Sequence, residues 1–339
     1  MNRASSMKIC VIGAGAIGGM LAVKLGLAGH TVSVVLRGAN LQAVQADGLT
    51  LIEPDGRTLQ LRPHCATDAV AQAGVQDLVI LGMKAHQVAA VAPELGALMH
   101  DSTRVVTMQN GIPWWYFHHL PGPYSGTPVL SVDPQGEITR HLPVQRVIGS
   151  VVYPASEVIR PGVIQVIEGN RFTLGEIDGS DSASVRAISD AFKGAGFKAP
   201  VSQDIRSEIW LKLWGNLSFN PISALTHATL EDICVFGPTR ALAAAMMREA
   251  QLIGEKLGVQ FKVSLDKRIA GAQAVGQHKT SMLQDVEHGR VLELQALVGS
   301  VVELGRITAT PTPTIDAVHA LASLLAQTLT KHHARLRIS

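Results

Sequence analysis

A glycine-rich segment near the start of the chain has the spacing of a phosphate-binding turn. It fits the pattern GxGxxG, follows the apolar run Lys8–Ile12 and precedes helical spacing from Ala16 to Leu27. In such a strand–turn–helix unit, the glycines permit a tight turn and close approach of a pyrophosphate, which the helix N-terminus then holds. The alternative is a flexible turn in a sheet that binds nothing. We expect a dinucleotide site formed by Gly13, Ala14, Gly15, Ala16, Ile17 and Gly18.

The residue at the end of the second predicted strand indicates which dinucleotide is bound. NAD sites place an acidic residue about 20 positions after the glycines, where it binds the ribose 2′-hydroxyl. No Asp or Glu occurs between Met7 and Asp47, and Arg37 follows the strand predicted over 31–36. A guanidinium suits a 2′-phosphate, whereas a solvated arginine at a strand end is the simpler interpretation. We expect NADP(H).

Lys84 and Asn110 follow two further predicted strands, over 77–81 and 104–107. Ligands of parallel sheets bind beyond the carboxyl ends of the strands, so both residues are expected to contact a ligand. Taken singly, Lys84 could equally be a surface lysine and Asn110 a residue that favours a turn.

Lys212, Asn216 and Asn220 recur at every fourth position within a segment of helical spacing. This spacing places an ammonium and two carboxamides on one helix face, about 6 Å apart along the axis. Large apolar neighbours indicate that the helix is mostly buried, and buried polar groups usually have partners, for example oxygens of a ligand. A solvated polar face is the alternative.

The elements that position these residues alternate in the first half of the chain and are almost entirely helical from about residue 205. Strand–helix alternation predicts a doubly wound parallel sheet, and the two short strands around the turn 168–170 end that region. A chain of 339 residues is long enough for two cores. We predict an α/β N-terminal Rossmann-type dinucleotide-binding domain over 7–200, followed by an all-α C-terminal substrate domain over 201–335.

In combination, these motifs resemble the ketopantoate reductase (2-dehydropantoate 2-reductase) family. The likeness runs from residue 7 to about 310 and rests on the glycine segment, Lys84, Gln109-Asn110-Gly111, Lys212-x-x-x-Asn216-x-x-x-Asn220-Pro221, and Ser281-Met282-Leu283-Gln284-Asp285 followed by Glu293. It implies NADPH-dependent reduction of a 2-oxo acid, ketopantoate, to pantoate.

The resemblance also implies roles for individual residues. Lys212 would be the catalytic general acid and Glu293 would bind the hydroxyl formed at the reacting oxygen. Substrate would be bound by Asn110, Asn216, Asn220 and Ser281. Arg37, Lys84 and Asn110 would join the glycine segment in binding the cofactor. From the residues alone, Glu293 could be a water-facing helical carboxylate paired with Arg290, and Ser281 could be a helix N-cap.

Two features depart from the family pattern. Members often carry an asparagine about ten residues after the Asn-Pro pair, where this chain has Leu230, and the segment 113–144 is longer than a compact reductase needs. Because of these two departures, the alternative that the protein is a reductase of the same fold with a different 2-oxo acid as substrate stays open. A non-catalytic NADPH-binding sensor is the alternative from another functional class, although the conjunction of Lys212, Asn216, Asn220 and Glu293 argues against it.

Composition limits the partners. Lys and Arg number 29 against 27 Asp and Glu, so a net charge of +2 provides no field for nucleic acid or an anionic membrane. The three cysteines form no CxxC pair, which favours a reducing compartment, and we expect a cytoplasmic protein. Histidines and cysteines lack metal-ligand spacing, so no metal site is expected. The expected partner is a small 2-oxo acid, and a homodimer is left open.

Overall fold

The computed structural model describes residues 6–337, which form two compact units. The first unit comprises the residues up to Gln109 together with 118–121 and 135–205. The second comprises 110–117, 122–134 and the residues from Arg206 onward. The sequence-based limits 7–200 and 201–335 remain a prediction. The units differ from them in one respect, because two stretches within the first half of the chain pack with the second unit.

Eleven strands are found in the described part of the chain. They are β1 (Lys8–Ile12), β2 (Thr31–Val35), β3 (Leu49–Ile52), β4 (Thr58–Leu61), β5 (Cys65–Thr67), β6 (Gln76–Leu81), β7 (Met99–Thr107), β8 (Val147–Val152), β9 (Ala155–Arg160), β10 (Val163–Glu168) and β11 (Phe172–Glu176). Seven of them form the main sheet in the order β11-β8-β7-β6-β1-β2-β5.

The main sheet confirms the predicted doubly wound architecture. All neighbouring strands are parallel except the edge strand β11, which pairs antiparallel with β8. Central strands of such a sheet are covered on both faces and read as continuous apolar runs, as Ile9 to Ile12 and Leu78 to Leu81 do. The chain reverses its direction of strand addition between β1 and β6, which is where ligands of doubly wound sheets bind.

Twelve α-helices are found among residues 6–337. They are α1 (Ala16–Leu27), α2 (Gly38–Asp47), α3 (Ala85–Val91), α4 (Glu137–His141), α5 (Ala183–Gly194), α6 (Ile205–Thr226), α7 (Leu230–Val235), α8 (Gly237–Lys256), α9 (Leu265–Ala274), α10 (Ser281–His288), α11 (Ser300–Ile307) and α12 (Pro313–Lys331). A π-helical segment, Gln295–Gly299, leads directly into α11. Among the helices that the structure describes, none combines the length and apolar character needed to cross a membrane.

A second sheet, with strand order β4-β3-β10-β9, covers α1 from the side opposite the main sheet. Two glycines allow this close contact, because a β-carbon at Gly19 would lie 2.7 Å from Ile164 and one at Gly26 would lie 2.5 Å from Leu61. Helix α1 is therefore apolar around most of its circumference. The strands on either side of the turn 168–170 belong to different sheets, β10 to the small one and β11 to the main one.

The aromatic run Trp114 to Phe117 belongs to the core of the second unit. All four side chains are at most 5% exposed. The indole Nε1 of Trp210 on α6 donates to the Tyr116 hydroxyl at 2.7 Å, and Arg206 Nε donates to the Tyr116 carbonyl at 2.8 Å. These contacts explain why a segment close to the sheet in sequence folds with the helices.

Replacing Tyr116 by Phe removes the acceptor for the buried Trp210 indole. An unsatisfied buried donor costs about 1–3 kcal/mol, so we expect the free energy of unfolding to fall by about that amount in denaturant titrations. Tyr124→Phe, at a half-buried tyrosine, is the matched control and should change stability little. Equal effects of the two substitutions would contradict the importance of this hydrogen bond.

Candidate active site

The glycine segment forms the predicted turn between β1 and α1. Gly13 has φ +85°, a left-handed conformation that favours glycine, and a β-carbon there would lie 2.7 Å from the Met83 backbone nitrogen. A β-carbon at Gly18 would lie 2.3 Å from the Gly13 carbonyl oxygen. Gly13 is therefore required by the packing of the turn against the residue Met83 beyond β6, and Gly18 by the packing of α1 against the turn itself.

Gly15 is different, because the protein's own packing does not require a glycine there. Apart from its chain neighbours, no atom of the described residues lies within 4 Å of the position a β-carbon would take. Gly15 also precedes α1 without a side-chain cap, and the first turn of that helix has no acidic residue. Open backbone at an uncapped, uncharged helix N-terminus fits the pyrophosphate of a dinucleotide.

Two cationic side chains lie in the same unit, beyond the carboxyl ends of β2 and β6, the strands on either side of β1. Arg37 is exposed between β2 and α2, and Lys84 is half-buried immediately before α3. Gln109, which follows β7, holds the turn that leads to Lys84, because its Nε2 donates to the carbonyls of Leu81 and Met83 at 2.8 and 2.9 Å. The sequence motif includes Gln109, but only the structure shows this positioning contact.

In the second unit, Lys212 on α6 forms a hydrogen bond with Asn110. Lys212 Nζ donates to Asn110 Oδ1 at 2.6 Å, across 102 positions of sequence. Asn110 is itself fixed by its neighbours. Gly111 has φ +92° and lies so close to the Ala296 carbonyl that a β-carbon would be 2.0 Å from that oxygen, while the Ile112 N–H donates to the same carbonyl at 3.0 Å. The π-helical segment thus positions the lysine's partner.

The surroundings of Lys212 change its acidity. Burial lowers the pKa of the Lys212 ammonium from its ordinary 10.5 to about 8, and the negative charge of Glu293 acts in the opposite direction. Glu293 is half-buried in the extended stretch before the π-helical segment, not within a helix. Arg290 forms an ion pair with Asp285, with 3.0 Å between Nε and Oδ1. The result is a lysine that can release its proton near neutral pH.

Further along α6, the polar face continues with Asn216 and Asn220. Asn216 is half-buried, whereas Asn220 is 5% exposed and its Nδ2 donates to Ser281 Oγ at 3.4 Å. Thr280, and not Ser281, caps α10, because Thr280 Oγ1 accepts from the Leu283 N–H. The structure therefore brings Asn220 and Ser281 together and removes the capping alternative for Ser281.

Leu230 is half-buried at the first position of α7. Its N–H donates to the His278 carbonyl at 3.0 Å, and Thr229 and Asp232 form the capping box of the helix. An apolar side chain thus stands where the family pattern often has a carboxamide. In the described range 6–337, no group of His, Cys, Asp and Glu side chains has the arrangement of a metal site.

Comparison with known proteins gives a consistent result. The chain matches the family model described as ketopantoate reductase PanE/ApbA over residues 9–179, and the corresponding C-terminal model over residues 204–326. The chain belongs to the ketopantoate reductase family. It is therefore an oxidoreductase that acts on CH–OH groups and binds a dinucleotide.

Individual relatives are similar over nearly their whole length. The 2-dehydropantoate 2-reductase of Mesorhizobium japonicum is 56% identical over 94% of this chain and 98% of its own. A crystal structure of a Ralstonia solanacearum MolK2 protein has a TM-score of 0.91 and 41% identity, covering 96% of this chain and 99% of that one. The 2-dehydropantoate 2-reductase of Methylococcus capsulatus has a TM-score of 0.81 and 27% identity, covering 95% and 98%.

The contribution of Glu293 can be tested without an assay of the reaction. Glu293→Gln removes the charge that keeps Lys212 protonated, so the pKa of Lys212 should fall below about 8. Asn110→Asp places a carboxylate on the same Nζ and should raise that pKa. NMR titration of the lysine side chain measures both changes. Glu287→Gln, whose carboxylate pairs with Lys279, is the control. A Lys212 pKa that responds equally to Glu287→Gln and Glu293→Gln would refute this electrostatic pairing.

Proposed function

We propose that the protein reduces the 2-oxo acid ketopantoate to pantoate, with NADPH as reductant and Lys212 as general acid. One observation carries this assignment beyond family membership. The ammonium of the half-buried Lys212, whose pKa is lowered to about 8, is held at 2.6 Å by Asn110 and lies in the field of Glu293. A general acid works best when its pKa lies near the working pH.

The chemistry requires a proton donor at the carbonyl oxygen. When bound, NADPH supplies a hydride to the carbonyl carbon of the substrate. Lys212 stabilises the negative charge that develops on the oxygen and gives it a proton from Nζ, a contribution of about 10² to 10⁴ in rate. Asn110 accepts a hydrogen bond from one of the three ammonium N–H groups, which orients Nζ. Glu293 favours the protonated form of Lys212 and would bind the product hydroxyl.

The remaining polar residues would bind the substrate. Asn216 continues the face of α6 that carries Lys212, and the Asn220–Ser281 pair provides amide and hydroxyl groups for the substrate's hydroxyl and carboxylate. The half-buried Leu230 favours a second candidate in the same reaction class, a different 2-oxo acid without a polar group at that position.

NADP(H) is the cofactor that the residues fit. The uncapped N-terminus of α1 and the open position at Gly15 suit a pyrophosphate. Arg37 is exposed at the end of β2, where an NAD site would carry an acidic residue, and Lys84 offers a second cation. A homodimer remains a prediction.

Lys212→Ala should reduce kcat about 10²- to 10⁴-fold, because it removes the proton donor without touching the glycine turn. NADPH oxidation in the presence of ketopantoate, and of a panel of other 2-oxo acids, measures the loss. The NADPH dissociation constant should stay close to that of wild type. Unchanged turnover would exclude Lys212 as the acid. If the wild type binds NADPH but turns over no 2-oxo acid, the alternative of a non-catalytic NADPH-binding sensor is favoured.

Arg37→Asp tests the choice of cofactor. A charge-assisted hydrogen bond to phosphate is worth about 10- to 100-fold in affinity, and the introduced carboxylate adds repulsion, so NADPH binding should weaken by at least that factor. NADH, which has no 2′-phosphate, should bind no more weakly than before. Fluorescence titration with each dinucleotide gives the ratio. Equal weakening of both would mean that Arg37 does not recognise the 2′-phosphate.

A further inference from the structure

Helix α6 contains one position at which the side chain of another helix reaches the backbone. Arg268 on α9 lies directly against Gly215, so that a β-carbon at Gly215 would be 2.1 Å from Nη2 and 2.8 Å from Cζ of the guanidinium. Any larger residue at this position would displace the guanidinium. Glycine is unfavourable inside a helix compared with alanine, so its presence needs an explanation. The close approach of Arg268 provides one.

Gly215 lies beside the residues of the proposed active site. It follows Lys212 by three positions and precedes Asn216 by one. Residues three apart on a helix are surface neighbours, with β-carbons about 5–6 Å apart. The guanidinium therefore flanks the polar face of α6, on the other side of that face from Asn220. Arg268 is half-buried, so part of its side chain stays accessible.

Helix α7, near Arg268, begins at Leu230, the residue that departs from the family pattern. Helix α9 packs against α7, which begins at Leu230, and Cys234 Sγ donates to the Ile269 carbonyl at 3.7 Å. Burial raises the pKa of the Cys234 thiol, and the positive charges of Arg240 and then Arg268 act in the opposite direction. Arg268 thus lies between α6 and α7, close to the region where the carboxamide of the family pattern is replaced by an apolar residue.

A 2-oxo acid is an anion, and the groups so far placed on α6 give its carboxylate only neutral partners. Lys212 is engaged with Asn110 and the reacting oxygen, whereas Asn216 and Asn220 carry amides. A guanidinium binds a carboxylate through two parallel N–H···O hydrogen bonds, which a lysine or an amide cannot reproduce. We infer that Arg268 binds a carboxylate of the substrate, and that Gly215 allows it to do so. This inference rests on the proposed function.

Arg268 could bind the carboxylate next to the reacting carbonyl, or a second carboxylate further along the substrate. A comparison of three substrates distinguishes these two possibilities. The kcat/KM values of wild type and Arg268→Gln are compared for ketopantoate, for its amide and for 2-oxoglutarate. Loss of a charged partner should reduce kcat/KM about 10- to 100-fold for ketopantoate and less than about threefold for the amide. A loss confined to 2-oxoglutarate assigns Arg268 to a second carboxylate. Equal losses for all three would make Arg268 a structural brace and overturn the inference.

Gly215→Ala tests the same contact without removing a charge. It should displace the guanidinium and raise KM for the preferred acid about tenfold, with an unchanged or higher melting temperature because alanine favours the helix. Gly271→Ala on α9 is the matched control, since no atom of residues 6–337 outside its own chain neighbours and helix backbone lies within 4 Å of its β-carbon position. Identical KM values in the two variants would overturn the inference.

Calorimetric binding separates failure of this inference from failure of the proposed reaction. Ketopantoate and its amide are titrated into the protein with NADP⁺ present, so that no turnover is needed. Tighter binding of the acid than of the amide in wild type, lost in Arg268→Gln, supports carboxylate recognition even if reduction is not observed. Equal binding of acid and amide by wild type contradicts it whatever the turnover.

Discussion

The reaction that we propose depends on the protonation of one lysine of the second unit, Lys212. Burial of an ammonium is unfavourable unless it is paired, and the lowered pKa of about 8 reflects that cost. Two groups reduce the cost of burying the ammonium. The Asn110 amide oxygen does so by accepting a hydrogen bond, and the Glu293 carboxylate does so by its charge. The balance gives an acid that stays charged at neutral pH but can transfer its proton.

Several parts of the fold determine the surroundings of Lys212. The segment 110–117 leaves the sheet unit, and its aromatic residues are buried among the helices, where Tyr116 accepts from Trp210. The Ala296 carbonyl, within the π-helical segment, accepts a hydrogen bond from the N–H of Ile112, two residues after Asn110. Glu293 precedes the same segment by two positions. Irregular helix geometry of this kind often occurs at functional sites, and here it positions Asn110 through the Ala296 carbonyl.

Local patterns in the sequence predict much of this structure. The bounds of β1 and α1 follow from an apolar run and helical spacing next to three glycines, and the repeat of four in α6 correctly places its polar residues on one face. Features that depend on distant chain segments could not be predicted. The small sheet over α1 and the Arg268–Gly215 approach are examples, because they depend on where non-adjacent elements pack. Thr280 and Ser281 are equally plausible caps in sequence, and only the hydrogen bond to Leu283 separates them.

The pH dependence of kcat/KM for ketopantoate at saturating NADPH tests the central claim most directly. The acid must be protonated to act, so activity should be constant below the pKa of Lys212 and fall about tenfold per pH unit above about 8. In Lys212→Arg, whose guanidinium stays protonated, whatever activity remains should show no decline near that pH. A decline that persists unchanged in Lys212→Arg, or a wild-type profile that stays flat to pH values near the ordinary lysine pKa of 10.5, would contradict the account.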